Sequence, residues 1–91
     1  MKPSELLAEP SKWTQGCYAR DVDGTTVAIQ SPDAVCWCLE GTVFKCENRV
    51  ANHSKLRRFI YTKHGFHIST WNDAPGRTHA EVLAVLKEIG L

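Results

Sequence analysis

No run in this sequence approaches the roughly 18 apolar residues that a membrane span requires. The opening residues, MKPSELLAEP, carry two glutamates where an export signal would hold its apolar stretch. Both absences argue against a membrane partner and for a cytoplasmic chain. Charge of one sign is missing as well: 11 Lys and Arg stand against 10 Asp and Glu, a net charge of +1. There is no internal repeat, no low-complexity tract, and no segment with the low hydrophobicity and high charge of disorder. Four cysteines are present, but none forms the C-x₂₋₄-C pair of a zinc knuckle, and without an export signal reduced thiols are the default. What remains is a globular composition, 43% hydrophobic and 23% charged over 91 residues, which gives room for one domain, 1–91, with a modest core.

Local signals then order the chain. Ser4 can cap a short first helix that Pro10 interrupts, with Leu6 and Leu7 turned inward. Asp23-Gly24 is the strongest short-range hairpin signal, and it predicts one antiparallel hairpin from about Cys17 to Ile29. Ser31-Pro32-Asp33 reads as a helix start, and the apolar residues from Ala34 to Cys46 predict a buried central helix over about 32–47. After a polar stretch at Ala51-Asn52-His53, a second helix capped by Asn52 or Ser54 keeps Leu56, Phe59 and Ile60 on one stripe and ends at Gly65. Ile68 and Trp71 suit one helical turn. Thr78 and Glu81 have capping-box spacing, opening a last helix over roughly 79–89 with Val82, Leu83, Leu86 and Ile89 on one face. The fold class is α+β: one antiparallel β-hairpin packed against three to four helices.

Several residues invite chemistry. Cys36, Cys38, Cys46 and His53 could supply zinc ligands, yet residues two apart on a helix point roughly 200° from each other, so core packing is the simpler reading. Cys17 after Gln15-Gly16 could be a thiol nucleophile, but a strand position offers no helix N-terminus to stabilise a thiolate. Asn72, Asp73, Pro75 and Gly76 have the chemistry of a tight connection pinned by Trp71; a polar site of Asp73, Arg77 and His79 is the alternative. The most physical candidate is a basic island. Between Lys45 and His67 six bases face Glu47 alone, a local charge of +5, while the remainder carries −4. Lys55, Arg57, Arg58 and Lys63 fall on the outer face of the second helix and are the expected partner-binding residues. Their interleaving with Phe59, Tyr61, His64 and Phe66 could also serve a nucleic acid, although a pI near 7.7 lies below the range typical of such binders.

The blocks WTQGCYARDVDG, SPDAVCWCLEG and WNDAPGRTHAEVL, in this order, resemble an uncharacterised family of small bacterial and phage-associated proteins. They cover about the first half and the last quarter of the chain; the stretch from Phe44 to Ser69 lies outside them. The resemblance implies a shared fold and a bacterial or phage setting, and it carries no catalytic residue and no cofactor. The expected function is therefore non-catalytic, through contact with a protein or a second copy of the chain. Nucleic-acid binding through 45–67, and zinc or thiol chemistry at the cysteines, are the alternatives.

Overall fold

Ala19 and Arg20 form a short strand, β1 (Ala19–Arg20), whose antiparallel partner is β2 (Cys36–Trp37), with Ala19 opposite Trp37 and Arg20 opposite Cys36. In the computed structural model, which describes all of residues 1–91, this pair meets five helices: α1 (Pro3–Leu6), α2 (Leu39–Lys45), α3 (Arg49–His64), α4 (Ile68–Asn72) and α5 (His79–Glu88). The α+β architecture read from the sequence is the one observed.

The Asp23-Gly24 turn reverses the chain as expected, with Gly24 at φ +82°. Its returning arm, however, contributes only a bridge from Thr26 to Arg20. The full partner of β1 comes from beyond it, because the Val35 amide bonds the Arg20 carbonyl (2.9 Å) and the Cys38 amide bonds the Tyr18 carbonyl (3.1 Å). This capture corrects the expected helix over 32–47. Ser31 does accept from the Asp33 amide at 3.1 Å, making one turn, but the next amides are drawn to β1 and the helix begins only at Leu39. Its cap is unusual: the Cys38 sulfur accepts from the Gly41 amide at 3.2 Å. Gly41 is required there, since a Cβ would run into the Tyr18 carbonyl oxygen.

α3 starts earlier than the capping signals at Asn52 and Ser54 suggest. Asn48 adopts the left-handed conformation (φ 57°) and its carbonyl accepts from the Asn52 amide, so Ala51, Asn52 and His53 are helical. The other end is as expected, with Gly65 at φ +74° closing the helix onto the Tyr61 carbonyl. The Thr78–Glu81 capping box forms: Glu81 N–H donates to the Thr78 hydroxyl (3.2 Å) and Thr78 N–H to the Glu81 carboxylate (2.9 Å). At the chain start, Ser4 lies inside α1 rather than capping it; its amide (3.0 Å) and hydroxyl (3.1 Å) both donate to the Leu91 carbonyl and tie the two termini together. One core joins Leu7, Leu39, Val43, Leu56, Ile60 and Trp71 to the inner face of α5, which buries Val82, Val85 and Leu86.

The connection after Trp71 makes the expected tight turn, with Gly76 at φ +82° and the Arg77 amide on the Ala74 carbonyl (3.0 Å), and it is also a joint between distant parts. Asn72 is fully buried. Its Oδ1 accepts from Trp13 Nε1 (2.8 Å) and from the Leu39 amide (3.0 Å), while its Nδ2 donates to the Thr14 carbonyl (3.2 Å) and Asp73 Oδ1 (2.8 Å). Asp73 in turn accepts from the Gly16 amide at 3.0 Å. Beyond that turn, the buried Asn72 and the exposed Asp73 satisfy backbone groups far away in sequence, at Thr14, Gly16 and Leu39.

Candidate functional site

Of the sixteen residues of α3 only Leu56 and Ile60 are buried, so the helix presents most of its circumference to solvent. Ser54, Arg57, Arg58, Tyr61 and Thr62 follow the i, i+3, i+4, i+7, i+8 spacing of one outer stripe. Two grooves run beside it. The first, about 620 Å³, lies between α3 and the end of α5, with Phe59, Ala51 and Ile89 as its apolar lining and Lys55, Arg58 and Lys63 among its polar residues. The second, about 500 Å³, is lined by Ser54, Arg57, Arg58, Tyr61, Thr62 and His67 and contains no carboxylate. Ser54, Arg58 and Thr62 border both.

The four partner-binding residues expected from the sequence do not share one face: Lys55 and Lys63 border the first groove, Arg57 the second and Arg58 both, because residues two apart on a helix, such as Lys55 and Arg57, point roughly 200° from each other. Lys63 is engaged with Glu88 at 3.2 Å and sits over the Phe59 ring at 5.2 Å. Lys55, Arg57 and Arg58 have no carboxylate within ion-pairing distance. Their charges face water, where they are screened and free to meet an incoming anion.

The other candidates are placed differently. No three His, Cys, Asp or Glu side chains gather in a metal-holding group. Cys38 is buried at the start of α2, and burial pushes its thiol up to about 11 despite two amides that favour the thiolate. Burial also raises Cys46. Cys17 lies in a bend ahead of β1 rather than in the strand expected, half-buried, and its thiol donates to the Ala19 carbonyl at 3.4 Å. It borders a pocket of about 200 Å³ with Tyr18, Cys38, Ser69 and Asp73; no histidine lines it to act as base. Asp73, Arg77 and His79 do not converge. Arg77 stacks on Trp71 (3.9 Å to the ring centre) and bonds the Trp71 carbonyl (2.9 Å), and His79 bonds the Leu7 carbonyl (2.6 Å). Each ties α5 or its lead-in to a neighbouring element.

One cluster was not foreseen. Glu40 on α2 and His53 on α3 meet at 2.7 Å, and His53 stacks on Phe44 with ring centres 4.6 Å apart. The Glu40 charge is the main reason that the Tyr18 hydroxyl is raised above its ordinary value, with burial second. Thirteen positions separate Glu40 from His53, and only the observed start of α3 brings them onto facing sides, so no spacing in the sequence announces the pair.

Residues 3–89 match the family of unknown function DUF6197. The chain belongs to the DUF6197 family. The match runs from α1 to the end of α5, and so takes in the stretch 44–69 that carries α3 as well as the three sequence blocks on either side of it. No curated protein and no solved structure matches this DUF6197 chain. No helix of the protein is long and apolar enough to cross a membrane.

Proposed function

We propose that this DUF6197 protein is a non-catalytic, cytoplasmic protein of bacterial or phage origin that binds an acidic segment of another protein along the outer face of α3. The observation that supports this most is the pairing of opposites on one helix: unpartnered cations at Lys55 and Arg58 beside a groove floored by Phe59 and Ile89, with a third, Arg57, on the adjoining groove that Arg58 also borders. Such a face suits a segment that alternates carboxylates with an aliphatic anchor. The charges steer the encounter and set register, and burial of the anchor supplies affinity. The bacterial or phage setting rests on the sequence resemblance.

A double substitution, Arg57→Glu with Arg58→Glu, is expected to abolish binding of an acidic protein partner while leaving the melting temperature unchanged, because both side chains are exposed and unpaired. Unchanged binding refutes the assignment. The second groove favours one rival: two guanidiniums, two hydroxyl-bearing helix residues, Tyr61 and His67 without an acid could hold a phosphate backbone. That rival is supported instead if the protein shifts DNA or RNA in a gel with affinity falling steeply as salt rises.

A further inference from the structure

The turn at the end of the hairpin carries what the α3 groove lacks. Asp21 Oδ1 accepts from the amides of Asp23 (3.0 Å) and Thr25 (2.9 Å), and Arg20 Nη1 donates to the Gly24 carbonyl (3.0 Å), so the turn is held in one shape. At its tip Val22 is 83% exposed, flanked by Asp21 and Asp23. Neither carboxylate forms an ion pair within the chain. Arg20, the nearest base in sequence, directs its nitrogens to oxygens of Thr14, Gln15 and Gly24 instead. A single exposed valine is ordinary on a surface. An exposed valine between two carboxylates that lack a counter-ion, on a braced turn, matches in kind a groove with an apolar floor and unpaired cations on its rim.

We propose that the segment which docks on α3 is the Asp21-Val22-Asp23 tip of a second copy of this chain, with Val22 against Phe59 and Ile89 and the carboxylates toward Lys55 and Arg58. This rests on the reading of α3 as a protein-binding face and names its occupant. The two surfaces differ, so the contact is heterologous. It adds copies head to tail and yields a ring if the rotation closes or an open chain if it does not. A turn already braced by its own hydrogen bonds gives up little conformational freedom on docking.

Sedimentation velocity of the intact protein, from micromolar to millimolar concentration, tests this. The average mass is expected to rise with concentration, and less so at high salt. Val22→Ser is expected to weaken association about tenfold, the loss of one buried aliphatic side chain. Asp23→Lys alone and Arg58→Glu alone are each expected to weaken it at least tenfold, and the combined variant to recover it, since a lysine tip then meets a glutamate rim. All three positions are exposed, and thermal melts of the variants verify that the fold is intact. A wild type that stays monomeric throughout, an Asp23→Lys variant that associates like wild type, or a combined variant without recovery overturns the proposal. A monomeric wild type leaves the α3 reading standing, because that reading is tested separately, by whether binding of an acidic partner is lost in the Arg57→Glu, Arg58→Glu variant.

Discussion

Replacing Asn72 by alanine removes four hydrogen bonds from a fully buried position. Two donors, Trp13 Nε1–H and the Leu39 amide, lose their acceptor, and the Thr14 carbonyl and Asp73 carboxylate lose a donor. An unsatisfied buried group costs about 1–3 kcal/mol, so the two stranded donors alone give a loss on the order of 3–4 kcal/mol. For 91 residues the whole stability is roughly 5–14 kcal/mol. A loss of that size lowers the melting temperature by about 15–25 °C. Urea unfolding followed by tryptophan fluorescence measures it, since Trp13 and Trp71 both adjoin the joint. Asn72→Asp separates the contributions: the near-isosteric side chain keeps both acceptor roles but places a carboxylate beside Asp73 Oδ1. Burial and the Asp73 charge raise the new carboxyl's pKa in the folded state, so this variant is stable while that group is protonated and loses stability as pH rises through its folded pKa. A loss for Asn72→Ala below about 1 kcal/mol, or an Asn72→Asp variant indifferent to pH, refutes the claim that this side chain joins the N-terminal segment to α2 and α4.

Other expectations follow from single contacts. Gly41→Ala is expected to destabilise strongly in the same urea assay, because its Cβ meets the Tyr18 carbonyl and neither backbone can retreat without breaking the Tyr18–Cys38 pairing. Thr78→Ala removes a helix cap and should cost about 1 kcal/mol. The Glu81 carboxylate, held below its usual value first by the Thr78 amide and hydroxyl, supports that cap above its unfolded pKa and loses the contribution as pH falls through its folded pKa, which NMR titration of Glu81 follows. Brief iodoacetamide treatment near neutral pH should label Cys17 and Cys36 before Cys38, whose thiol is buried and raised to about 11; peptide mass spectrometry reads the order. Lys63→Ala should change stability by less than about 0.5 kcal/mol, since both Lys63 and Glu88 are 53% exposed.

What the sequence revealed was what neighbouring residues decide among themselves. Thr78 with Glu81, Gly65, and Ile68 with Trp71 each settle a helix end or turn within four positions, and each is where the pattern placed it. The segment 31–47 defeated the same reasoning. Its unbroken apolar run suits a buried helix or a buried strand equally, and the choice was made by the segment of Tyr18 and β1, some fifteen to twenty residues earlier, where the Arg20 and Tyr18 carbonyls take the Val35 and Cys38 amides. A cysteine capping α2 is not a sequence signal at all. The basic character of α3 was legible because six bases stand against Glu47 alone between Lys45 and His67. That Lys63 is held by Glu88 while Arg57 and Arg58 are free depends on how α5 packs, which no spacing within α3 encodes. The Glu40–His53 pair was hidden for the same reason.

Binding of acidic protein segments on α3 can be read residue by residue by NMR. A short peptide alternating aspartate with valine is titrated into the ¹⁵N-labelled protein. Amide shifts are expected on α3 from Ala51 to Lys63 and at Ile89 alone, diminishing with added salt and absent in the Arg57→Glu, Arg58→Glu variant. Shifts centred on the Cys17 pocket or on the Glu40–His53 pair, or shifts that survive the double substitution, contradict it.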